Sequence, residues 1–198
     1  MAFDKMYTQR GINHMIGQVG FEIQRTNNYE VQIAGLGDNL VDMNGNSLTQ
    51  AAKASEIITL STASFDAPTI TIDPIVVSYG NGKVKYAQVG TFGDTSITLN
   101  DYIGLNTEKI LGAWFAQAYN PVQEIVGYAI DYKKTAYLIE YDSKYVQARS
   151  WKLEGCWLST FQLGSYSAEG GSQRQMTGTL VYDRMVPDGE SVTNVTLS

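Results

Sequence analysis

The segment Ile75–Tyr102, I-V-V-S-Y-G-N-G-K-V-K-Y-A-Q-V-G-T-F-G-D-T-S-I-T-L-N-D-Y, decides how this chain is read. Two alternating runs, Val77-Ser78-Tyr79 and Lys83-Val84-Lys85-Tyr86, flank Asn81-Gly82. Alternation puts successive side chains on opposite faces of a strand, and Asn and Gly accept the positive φ of a tight turn. The pattern therefore predicts a β-hairpin centred on Asn81-Gly82. Pro74, which cannot donate to a ladder, divides this run from an extended stretch at Thr69–Ile72. A glycine-containing break leads on to a short strand, Ser96–Leu99. Next comes a helix over Glu108–Ala118, which Asn106 or Thr107 can cap, which Glu108 suits at its positive end, and which Pro121 stops. Ile110, Leu111, Trp114, Phe115 and Ala118 fall on one stripe of it. Such a stripe is core packing and would cover one face or end of a β-sheet.

Outward from this centre the period-2 pattern continues. Tyr29–Ala34 reads as the first clear strand, with Tyr29, Val31 and Ile33 on one face, and Phe21–Arg25 as another candidate. Residues 36–55 lose the rhythm. Gly37, Asp38, Asn39 and Asn44-Gly45-Asn46 mark turns there, and Gln50–Ala54 suits a helical turn. Ile57–Ser61 reads as the next strand. After the helix, Ala136–Tyr141 and Ala148–Leu153 are joined by a turn around Asp142-Ser143, and Trp151 and Leu153 alternate with Lys152 and Glu154. Thr160–Leu163 and Met176–Tyr182 flank a loop at Gly164–Ser172, and the polar stretch after Pro187 is expected to be an extended or mobile tail. The chain reads as mainly β and antiparallel, a sandwich or barrel with one substantial helix, in a single domain spanning 1–198.

Composition narrows the function classes. The 198 residues suffice for one sizeable core. Charged residues make up only 17% while hydrophobic ones make up 43%, and there are 13 Tyr. Tyr joins a large apolar body to a polar tip and is favoured at interfaces, so the balance points to assembly. The alternative is a β-rich monomer whose Tyr residues pack on half-exposed sheet faces. A net charge of −6 argues against stable nucleic-acid binding, which needs clustered cations. The basic pairs Lys83 with Lys85 and Lys133 with Lys134 read as solvated strand positions.

Catalytic and cofactor chemistry finds no foothold. The sequence holds no G-x-S-x-G elbow, no phosphate loop and no H-E-x-x-H. Gly35 opens a G-L-G-D stretch that lacks the third glycine of a dinucleotide motif. Glu140 and Asp142, two apart, read as a solvated face. With one Cys and one His, Cys156 and His14, neither an internal disulfide nor a metal site is expected. Cys156 reads as a small buried hydrophobe. Met1–Gly20 lacks the apolar centre of a signal peptide, and no run approaches the ~20 apolar residues of a spanning helix. A soluble protein without membrane insertion, cofactor or enzymatic activity is expected.

Three short motifs, in order, carry a resemblance. Asn81, Lys83, Val84, Ala87, Thr91 and Phe92 match an N-R-K-I-x-V-A-G-x-R-T-F-like stretch. Tyr132–Ala136 (Y-K-K-T-A) matches a Y-K-K-S-A-like strand start, and Leu153–Trp157 (L-E-G-C-W) an I-x-G-x-W-like strand end. Over residues 57 to 183 the chain thus resembles the tail tube proteins of contractile-tailed bacteriophages. That resemblance implies hexameric rings stacked into a tube through which DNA passes without stable binding. It also implies sheath, baseplate and tape-measure partners, and a place in the virion tail after assembly in the host cytoplasm. The family pattern passes almost directly from the first strand to the second, which makes 37–55 an insertion loop outside the core. Inter-subunit contacts are expected at Tyr79, Asn81, Gly82, Lys83, Lys85, Tyr86, Thr91 and Phe92. The alternatives are the inner tube of a type VI secretion or bacteriocin-like injection system and, from another class, a carbohydrate-binding β-sandwich.

Overall fold

The computed structural model describes residues 24–167 and 171–190. In chain order its first half comprises β1 (Tyr29–Ala34), α1 (Ala54–Ser61), β2 (Thr62–Phe65), β3 (Ile70–Tyr79), β4 (Gly82–Phe92), β5 (Thr95–Asn100) and α2 (Thr107–Ala118). There follow β6 (Tyr119–Asn120), β7 (Ile125–Val126), α3 (Ala129–Tyr132), β8 (Lys134–Tyr141), β9 (Gln147–Gln162), β10 (Gln175–Val181) and β11 (Arg184–Glu190). Seven strands pair antiparallel in one sheet of order β1-β8-β9-β10-β5-β2, with β11 also on β9. The mainly β, antiparallel architecture expected from the sequence is the one observed.

Period 2 builds the core. Val31 and Ile33 of β1, Ile97 and Leu99 of β5, Ala136 and Leu138 of β8, and Met176 and Leu180 of β10 are all buried on one face. Onto them α2 lays Ile110, Leu111 and Trp114, buried as expected, while Phe115 sits half-buried at the flank beside Phe161, ring centres 6.3 Å apart. Strand β9 runs through both halves of the sheet. Its first part pairs with β8 and β11, and Trp157–Gln162 pair with β10. Between them Gly155 adopts φ +68°, and the Asp183 side chain occupies the space a Cβ would take. Only glycine meets both conditions, so the G of L-E-G-C-W marks the join of the two halves.

Three expectations are corrected. Ile57–Ser61 is the body of a helix, so the chain has a second helix beside α2. Ala54, Ile57, Ile58 and Ser61 recur at helical spacing and all are buried, whereas a strand would set Ile57 and Ile58 on opposite faces. Segment 37–55 does not stand outside the core, because Leu40 and Ala54 are 2% and 0% exposed and Leu48 and Ala51 pack against it. Its turn residues still form the loop: Asp42 accepts the backbone N–H groups of Asn44 and Asn46 at 2.9 and 2.8 Å. At the N-terminus of α2 Asn106 is left-handed (φ +51°) and its side chain makes no cap. Its amide instead donates to Gln50 Oε1 at 3.3 Å, and Glu108 accepts from Arg174 at 2.8 Å. The stretch past Pro187, expected to be extended or mobile, is strand as far as Glu190, with Pro187 opposite Trp151. Residues 191–198, Phe21–Ile23 of the first strand candidate, and His14 lie outside the described residues.

Along β1 the side chains of α1 replace a strand partner. Ser55 and Thr59 hydroxyls donate to the carbonyls of Ile33 and Val31 at 2.5 and 2.7 Å.

Candidate functional site

Strands β3 and β4 pair only with each other and lie off the main sheet. Their register fixes the turn. Tyr79 pairs with Gly82, so the two-residue loop is Gly80-Asn81, one position before the expected centre at Asn81-Gly82. Gly80 carries φ +58° and Asn81 has no positive φ, the pattern of a type II′ turn with glycine first. The preceding glycine was overlooked because Asn-Gly is the stronger short-range signal. A register shift between Ile72 and Pro74 lets β3 run on past the proline the sequence suggested would divide it.

Alternation along this ladder segregates the side chains. Ile75, Val77 and Tyr79 share one face with Val84 and Tyr86, while Val76, Ser78, Lys83 and Lys85 occupy the other. Apart from the half-buried Val77, the residues of the apolar face are 42–60% exposed. A hydrogen bond between the Tyr79 and Tyr86 side chains raises the Tyr86 pKa above that of an ordinary phenol. Such a face in water stabilises nothing within the chain. Thr91 and Phe92 sit at the root. Phe92 packs on Tyr182, ring centres 6.1 Å apart, and the Tyr182 hydroxyl donates to the Thr69 carbonyl at 3.4 Å. Phe92 is therefore an anchor of the hairpin to the body.

Two further surfaces went unrecognised in the sequence. Opposite the core, the half formed by β5, β10 and the end of β9 bears Ser96, Thr98, Thr177, Thr179, Thr160 and Gln162 in register. None of these six is charged. The other surface follows α2. From Val122 to Ile130 the chain presents Val122, Ile125, Val126, Tyr128 and Ile130 at 58–87% exposure. It is nevertheless fixed: Trp114 Nε1 donates to the Tyr132 carbonyl at 3.0 Å, and Gly127 N–H to the Ala118 carbonyl at 3.0 Å. The V-x-x-I-V-x-Y-x-I spacing fits neither a strand nor a helix, which is why no pattern marked it.

Among the described residues no group of three or more His, Cys, Asp or Glu is placed to hold a metal. Cys156 is buried, and desolvation pushes its thiol up to about 12. No described helix is long and apolar enough to cross a membrane. Lys133, expected to be solvated, donates to Asp183 at 2.6 and 2.8 Å.

No family model matches the sequence, and no curated protein matches it. Solved structures do. The fold is similar to a chain of the PVC extracellular contractile injection system in its sheath/tube terminator, extended state. There the TM-score is 0.61 at 13% identity, over 87% of this chain and 100% of that one. It is also similar to a chain of the PVC sheath-tube complex in the extended state, with TM-score 0.57 and 14% identity over 91% and 97%. A third is the tube-terminating cap of the anti-feeding prophage, with TM-score 0.57 and 15% identity over 84% and 91%. At these identities the likeness establishes a shared fold, that of chains found in the tube and sheath assemblies of contractile injection systems.

Proposed function

We propose that the chain is the structural subunit of the inner tube of a contractile phage tail, assembled as hexameric rings stacked around a channel. The carrying observation is the β3-β4 hairpin: a twenty-three-residue excursion, Ile70–Phe92, whose apolar face has no partner among the described residues. A two-stranded hairpin is marginal alone in water, so this one is completed by another copy. The contacts assigned from the sequence to Tyr79, Lys83, Lys85 and Tyr86 lie on that hairpin, and Asn81 and Gly82 shape its tip. The uncharged Ser/Thr/Gln face turns to the channel, where it offers DNA no cation to hold, so DNA passes without stable binding. The sheath surrounds the tube, and baseplate and tape-measure proteins meet its end. The role is non-catalytic, in a virion tail assembled in the host cytoplasm. The PVC and anti-feeding-prophage likenesses equally favour the inner tube of an injection system, a second reading with the same subunit contacts.

Electron microscopy of purified protein tests the proposal. Rings or tubes are expected, on their own or after adding tail initiators. A 21.8 kDa monomer that persists at high concentration, with initiators present, overturns it.

A further inference from the structure

Two apolar surfaces, the hairpin face and the segment 119–132, are left without a partner among the described residues, and their net charges are opposite in sign. Apart from Asp73, the only charged residues of the hairpin Ile70–Phe92 are Lys83 and Lys85. Within 119–132 the only ones are Glu124 and Asp131. None of the four takes part in an ion pair among the described residues. All four are exposed. Ion pairs elsewhere among the described residues join Arg174 with Asp101 and Glu108, Arg149 with Glu140, and Lys152 and Arg184 with Glu154. Unmatched charge and uncovered apolar surface thus coincide twice, once with each sign.

We propose that the apolar face of the β3-β4 hairpin of one copy seats on the 119–132 segment of a second copy. Tyr79, Val84 and Tyr86 pack on Val126, Tyr128 and Ile130, with Lys83 and Lys85 beside Glu124 and Asp131. The lysines rise from the reverse face of a ribbon one strand thick, and their long stems reach past its edge to acidic groups on the partner. The occupant is a copy of this chain because that one partner supplies both the apolar cover and the missing charges. A hairpin-on-hairpin contact is disfavoured, since it would gather four lysines and leave the acidic segment bare. Two different patches also make a heterologous contact, which continues from subunit to subunit, whereas an isologous one ends at a dimer. This inference rests on the tube-subunit reading and names the surface that receives the hairpin.

The test uses the full chain in two arms. In the first, V84C with V126C in one chain is assembled and mildly oxidised; Cys156 is buried and stays out of the reaction. A ladder of covalent multimers on a non-reducing gel is expected, with little product from either single variant. In the second, K83E with K85E is expected to raise the protein concentration needed for assembly about tenfold. Adding E124K and D131K is expected to restore it. Tubes of the V84C/V126C chain without a ladder, dimers from V84C alone, or failure of the charge swap to rescue would overturn this docking while leaving the tube reading intact. A wild-type chain that never assembles would overturn the tube reading itself.

Discussion

Replacing Gly80 with Val separates the turn from the strand that follows it. Gly80 has φ +58° and nothing lies within 4 Å of where its Cβ would be, so the cost is of backbone origin. Forcing an L-residue into left-handed space costs about 1–2 kcal/mol, and a β-branched one lies at the upper end. Because β3 and β4 pair only with each other, that cost falls on the hairpin and spares the main sheet. At 1.4 kcal/mol per tenfold, the docking-competent population drops about 5- to 30-fold, and the concentration needed for assembly rises by the same factor. Gly82 is the control. It has no positive φ, and a Cβ there would meet only the Tyr79 carbonyl at 3.5 Å, an ordinary contact. Gly82→Val should therefore assemble within about twofold of wild type, since single surface changes stay within about 0.5 kcal/mol. Gly80→Asn should fall between, because Asn tolerates positive φ. The assay is sedimentation of tubes against protein concentration, with thermal unfolding of the free subunit as reference. Normal assembly of Gly80→Val, or equal loss for both valines, would refute the turn assignment and the role of the hairpin together.

Other consequences are open to measurement. Trp114→Ala, at a position 1% exposed, should cost about 3–5 kcal/mol of stability by urea titration, and a loss under 1 kcal/mol would mean that the α2 stripe is not core. The Cys156 thiol, held near 12 against 9.0 for a free one, should resist alkylation at pH 8 until the chain unfolds; rapid labelling of folded protein would contradict its burial. Its stabilising contribution is full below pH 9 and is lost as pH rises toward 12, because the unfolded thiol ionises and the folded one does not. Cys156→Ala should flatten the pH dependence of stability in that window. Tubes of wild-type protein should show no measurable DNA binding at low salt. Thr98→Lys with Thr177→Lys should introduce salt-sensitive binding, and its absence would place that face away from the channel.

Where one periodicity acted alone, the sequence was easy to read. Tyr29–Ala34 alternates strictly and is β1 to the residue, and the α2 stripe is buried as its spacing required. Ambiguity arose where two rules met. In Ala54–Ser61 the β-branched residues favour a strand, yet only helical spacing brings Ile57 and Ile58 to the same buried side, and tertiary burial outweighs propensity. In 37–55 turn residues dominate the count while single apolar residues such as Leu40 do the anchoring. The hairpin was visible from residue types. Its exposure was not, because alternation reveals two faces and never says whether either is covered. Segment 119–132 escaped for the opposite reason: it is ordered by Trp114 and Ala118 of the preceding helix, not by any pattern of its own.

The hydroxyls of Ser55 and Thr59 on β1 have a consequence for polarity. Among the described residues the sheet has four free margins: β1, β11, β2 and the Trp157–Gln162 end of β9, which pairs with β10 alone. At β1, two outward carbonyls are already taken by α1. At β11, Pro187 lacks the N–H that a newcomer would need. The others are the end of β9 and β2, the latter four residues long and leading through Pro68 into the hairpin. Strand addition is thus hindered at β1 and β11 and left to the β2 and β9 margins, so copies of this chain have a front and a back. Material built from them grows with a direction, and a chain misfolded only at its hairpin keeps two of its sheet margins blunted against edge-to-edge aggregation.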